Sequence, residues 1–166
     1  MRPSLPTFPA TIPSVYDMLI HSLKDTDGSR CTLTWEEGEQ WLRATWSGFV
    51  DIGEAIRGAE KYLAHAGLFR CAYLLNNNLA LEGPWFDSLE WLEQAWLPHA
   101  RRLGLRYVAH VVQADTGMDV LTQSPDKLFV SGLNLQLFSG VAEAEEWLRS
   151  CQQRHRLVQP VQLARR

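Results

Sequence analysis

"CAYLLNNN", Cys71–Asn78, is the stretch on which the fold turns. Its first five residues, Cys71 to Leu75, are apolar at odd and even positions alike. A strand covered on one face alternates apolar with polar, whereas one covered on both faces reads as an unbroken apolar run. "YVAHVV", Tyr107–Val112, has the same character around a single histidine. The two runs predict a pair of interior strands lying side by side under helical cover. Asn76, Asn77 and Asn78 then read as the C-terminal end of the first strand, where ligands gather in open α/β sheets.

Between these runs, "GPWFDSLEWLEQAWLPHARRLG" reads as a helix opening near Pro84 or Trp85. Proline at a first helical position loses no hydrogen bond. The apolar stripe is Trp85, Leu89, Leu92, Trp96 and Leu103, broadened by Trp91 and Ala95. Pro98 interrupts or kinks it, and Gly104 closes it. Upstream, residues 51–66 predict a helix with Asp51 and Glu54 at capping-box spacing. Its stripe is Ile52, Ala55, Ile56, Ala59, Leu63 and Ala66, with Gly67 as the stop. Before it, Cys31 to Val50 reads as a β-hairpin turning at Glu37-Gly38-Glu39, with Leu33 and Trp35 on one parity of its first arm. Val15 to Leu23 fits a strand or a short helix, and Asp27-Gly28 makes the corner after it.

Downstream, Asp115 and Asp119 bracket a glycine loop. "LNLQLF" is an alternating strand with Leu133, Leu135 and Leu137 on one side. Ser139 is placed to cap a last helix whose first turn is acidic. That helix should bury Ala144, Trp147, Leu148 and Cys151. The organisation expected is a loose arm over residues 1–14, one α/β domain over 15–152 with a mixed central sheet and helices packed against it, and a basic, frayed tail over 153–166.

The chain has 166 residues, 46% of them hydrophobic, enough for one domain with a sizeable core. Sixteen basic and 19 acidic residues give a net charge of -3, which offers no chain-wide attraction for nucleic acid. No apolar stretch approaches the roughly 20 residues of a membrane span. The N-terminus has no continuous apolar core of a secretory signal, and three widely spaced cysteines fit free core thiols in a reducing cytosol. A cytoplasmic protein is therefore expected.

The candidate sites have structural and functional readings side by side. Asn76, Asn77 and Asn78 can cap and turn the chain, or touch a ligand or partner through their amides. Ser88, early in the second helix, is an ordinary helix serine or a phosphosite, with Asp87 and Glu90 opposing a dianion. Seven tryptophans suit core packing and a dimer face, or the walls of an aromatic cavity. Trp85 and Trp91 stand six residues apart at about 100° per residue, so they point in different directions and one suits a partner surface or pocket rim. The five histidines form no metal motif, and His110 reads as a hydrogen-bonded core residue. Asp115 and Asp119 read as solvated loop carboxylates. No phosphate loop, metal site or cofactor motif is present, so neither metal nor cofactor is expected.

The hairpin "TLTWEEGEQWLRATWSGFV", the strand end "YLLNNN", and the stretches "GPWFDSLEWLEQAWLP", "LGLRYVAHVV" and "LQLFSGVAEAEEWL" together resemble the STAS-like, anti-sigma-factor-antagonist-like α/β proteins, some of which are grouped with the CRAL-TRIO lipid carriers. The resemblance covers about residues 31–150. It implies a STAS-like fold and a non-enzymatic switch that docks a protein partner. In the antagonists a serine at the start of the helix after the central strand is phosphorylated, within an Asp-Ser-Ser-Gly turn. Asp87 and Ser88 match the first two residues of that turn; Leu89 and Glu90 replace the others. The function expected is a regulatory or protein-interaction domain, homodimeric, contacting its partner through the second helix. Two alternatives are a binder of a small hydrophobic molecule or lipid in a tryptophan-lined pocket near Asn76 to Asn78, and an enzyme using polar groups at strand ends.

Overall fold

The structure is a computed structural model and describes residues 18–24, 27–113 and 133–158. The expected N-terminal arm, Asp115, Asp119 and the end of the basic tail lie outside these residues. Six strands form one mixed sheet in the order β1-β2-β3-β4-β5-β6. They are β1 Met18–Lys24, β2 Arg30–Glu36, β3 Trp41–Phe49, β4 Tyr73–Glu82, β5 Tyr107–Val111 and β6 Asn134–Phe138. β1, β2 and β3 pair antiparallel, and β3 through β6 pair parallel. The two doubly apolar runs are central neighbours, with Tyr73 opposite Tyr107 and Leu75 opposite Ala109. Of the stretch Val15 to Leu23, ambiguous in sequence, the described part from Met18 lies in the strand β1.

Each parallel strand is laid down beside its predecessor in the same direction. Right-handed crossovers then place the connecting helices on one face. The helix α1, Ile52–Phe69, and the composite helix 85–102 share that face, against Ala44, Leu74 and Val108. The composite helix has a 3-10 turn Trp85–Ser88, an α turn α2 Leu89–Trp91, a π turn Leu92–Trp96 and an α-helical end α3 Leu97–Arg102. The last helix, α4 Val141–Val158, covers the opposite face, with Trp147 against Tyr107 and Phe138. A sheet with helices on both faces explains why Leu42, Leu75, Val111 and Leu148 are fully buried. Each such side chain contributes about 1.5–3 kcal/mol by leaving water.

A network of charges fastens α4 to the hairpin. Arg43 on β3 pairs with the buried Glu36 and, at 2.6 Å, with Glu145 on α4. Arg149 reaches Glu39 at 2.7 Å and lies over the Trp41 ring. Cys31, Cys71 and Cys151 are free and buried, as expected of core thiols.

Several boundaries differ from the sequence-based expectations. β4 does not stop at the asparagines but continues to Glu82, because β3 supplies partners as far as Phe49 opposite Glu82. Asn76, Asn77 and Asn78 are therefore mid-strand. α1 has the expected Asp51–Glu54 capping box but runs past Gly67, and Arg70 in the left-handed region (φ 47) ends it. Its buried face is rotated from the expected stripe. Tyr62 and Gly58 are buried, while Ile52 is 46% exposed. The interruption or kink expected at Pro98 takes the form of a change in helix type ahead of it. A π turn closed by Leu97 N–H to Leu92 C=O precedes Pro98, so the helix passes a residue without an N–H. Residues 153–158, expected in the frayed tail, continue α4.

Candidate functional site

A cavity of about 160 Å³ lies between the central strands and the layer made by α1 and the composite helix. Strand alternation decides which residues reach it. Ala44 and Trp46 on β3, Leu74, Asn76 and Asn78 on β4, and Val108 and His110 on β5 all present this face. Leu133 and Leu135 extend the floor from the β6 side, and Tyr62, Ser88, Glu93 and Trp96 come from the helical layer.

In one part of the wall a glycine faces a tryptophan. Gly58 sits in the interior of α1, where glycine is about 1 kcal/mol worse than alanine. An added Cβ there would come within 2.1 Å of the Trp46 ring. The indole therefore lies directly on the α1 backbone. Trp96, also in the wall, donates its Nε1–H to the Ala59 carbonyl at 2.8 Å and packs on Tyr62 with ring centroids 5.3 Å apart. The two indoles thus take defined positions in the wall.

A polar chain runs across the floor. Trp46 Nε1–H donates to Asn76 Oδ1 at 3.0 Å, which identifies the acceptor end of that carboxamide. Asn76 Nδ2 then donates to His110 Nδ1 at 2.8 Å. Burial pushes the His110 pKa down to about 4, so the ring is neutral at neutral pH. With Nδ1 accepting, the ring proton resides on Nε2. Asn76 stands opposite Ala44 on one side and His110 on the other, so strand register creates this contact.

The three asparagines separate by role. Asn76 and Asn78 line the cavity. Asn77 does not; its Oδ1 accepts the Leu79 N–H at 3.1 Å. That bond falls at a bulge, where two residues of β4, Asn78 and Leu79, stand against one of β3, Trp46. Asn77 thus serves the turn-like role, and the other two serve the cavity. Asn78 is 6% exposed and its Oδ1 has no hydrogen-bond partner. The Tyr62 hydroxyl, on a residue 4% exposed, has none either. Burial also raises the Tyr62 pKa above its ordinary value, which keeps the group as a neutral O–H.

Ser88 is 0% exposed and belongs to the cavity wall, so phosphorylation there requires the 3-10 turn to lift away. Trp85 begins that turn. Trp91 is half-buried and is not among the cavity-lining residues. Sequence reasoning missed Tyr62 and the pairing of Gly58 with Trp46. A glycine inside a well-formed helix was the available signal for the second.

Glu93 brings the one charged side chain among the described lining residues. No group of three or more His, Cys, Asp or Glu suited to a metal occurs among the described residues. Burial pushes the Cys31 thiol up to about 12 and raises Cys71, so neither is a ready thiolate. The arrangement can hold a small apolar body and offer it hydrogen bonds. Among the described residues no helix is long and apolar enough to cross a membrane. Comparisons of the chain with family models, curated proteins and solved structures gave no match.

Proposed function

We propose that this chain is a non-enzymatic protein that takes up a small hydrophobic molecule between its sheet and α1. The observation that carries this is the cavity of about 160 Å³, walled by Ala44, Leu74, Val108 and two indoles. Dry apolar cavities of about 150 Å³ bind a molecule the size of benzene. Native mass spectrometry of the purified protein tests the proposal. A ring-sized adduct, or one acquired on adding toluene, is expected. A bare chain that acquires none would overturn it.

A second reading is a STAS-like regulatory domain that works through protein contacts as a homodimer. The order of strands and helices supports it, since parallel strands alternate with helices after an N-terminal hairpin. Among the residues whose side chains are described, the exposed large apolar ones are Phe49, Ile52, Leu68, Leu157 and Val158. The ligand reading takes precedence because the cavity gives it a specific place in the fold. Sedimentation at rising concentration tests the homodimer; a monomer throughout would remove it.

A further inference from the structure

We infer that the cavity selects a neutral, single-ring molecule bearing a hydroxyl or similar donor–acceptor group over a hydrocarbon or a carboxylate of the same size. This deepens the ligand-binding proposal and rests on it. Tyr62 Oη and Asn78 Oδ1 are buried without hydrogen-bond partners, on residues lining the cavity from opposite layers. Buried polar atoms are nearly always satisfied, and each exception calls for an explanation. An apolar occupant would leave both unmet. A ligand hydroxyl can give its proton to a carboxamide oxygen and accept one from a tyrosine.

The charges in the wall set the second half of the preference. Among the described lining residues there is no lysine or arginine, and the charged one is Glu93. A carboxylate or phosphate entering there would lose its water and gain no counter-charge. The neutral state of His110 adds none. Apart from the Glu93 carboxylate, the contacts offered to a ligand are those of neutral groups.

Isothermal titration of the full chain with phenol, toluene and benzoate tests this. Transfer from water alone favours toluene, because phenol must strip its hydroxyl. Recovery of the unmet bonds should reverse that order, with phenol about tenfold tighter than toluene and benzoate silent. Asn78→Leu should bring the phenol-to-toluene ratio to unity or below while toluene still binds. Tyr62→Phe should lower the same ratio and provides a second variant should the first not fold. Toluene binding as tightly as phenol would overturn the polar selectivity and leave the cavity proposal standing. Benzoate binding best would overturn the neutral preference. Silence from all three would overturn both proposals.

Discussion

Replacing Gly58 with alanine sets two opposing effects against each other. Helix propensity alone favours the change by about 1 kcal/mol. The new Cβ, however, would lie 2.1 Å from the Trp46 Cη2, 2.8 Å from Cζ2 and 3.0 Å from Cζ3. Carbon atoms rest about 3.5–4.0 Å apart, so the ring must withdraw by about 1.5 Å. That withdrawal pulls Nε1 away from Asn76 Oδ1, where it now sits at 3.0 Å. Overpacking of this kind costs about 1–3 kcal/mol, and the lost hydrogen bond about 1 kcal/mol more. The net expectation is a destabilisation of about 1–3 kcal/mol. Urea unfolding measures it, and the Trp46 indole N–H resonance reports the broken bond. A variant about 1 kcal/mol more stable than the parent, with that resonance unmoved, would refute the proposed packing of Trp46 on α1.

Asn78→Leu and Tyr62→Phe should each stabilise the empty protein by about 1 kcal/mol or more in urea unfolding, because each removes an unmet buried polar atom; destabilisation by both would contradict the assignment. His110 has a folded pKa of about 4 against about 6.5 unfolded. The unfolded chain therefore binds the extra proton between these values. Its contribution is complete above about pH 6.5 and falls away toward pH 4, by up to about 3 kcal/mol. His110→Gln should flatten stability across that window, and a parallel pH profile would refute the shift. Arg43→Ala strands the buried Glu36 carboxylate and should cost about 3 kcal/mol. Adding Glu36→Gln should recover part of that loss, and a strictly additive double variant would deny the pairing.

Local rules carried much of the fold. The runs at Tyr73 and Tyr107 are apolar on both parities because helices cover both faces of the sheet, so pattern alone revealed the central strands. The capping box at Asp51 and Glu54 is equally local. The reach of β4 was not legible. Asparagine is a poor strand former, and partners on β3 and β5 hold these residues extended. The π turn before Pro98, whose Trp96 packs on Ala59 and Tyr62 of α1, was not legible either. A pocket near Asn76 to Asn78 is one alternative the sequence offers, but the lining that Trp46 makes against Gly58, and the buried Tyr62, are not among its readings. Those contacts join β3 to α1 and follow from no short-range spacing.

Crystals of the protein under xenon pressure test the central claim most directly, since xenon enters apolar cavities of this size. The account predicts a xenon site enclosed by Ala44, Leu74, Val108 and the two indoles. Crystals showing side chains collapsed into that space, with no xenon between the sheet and α1, would contradict it.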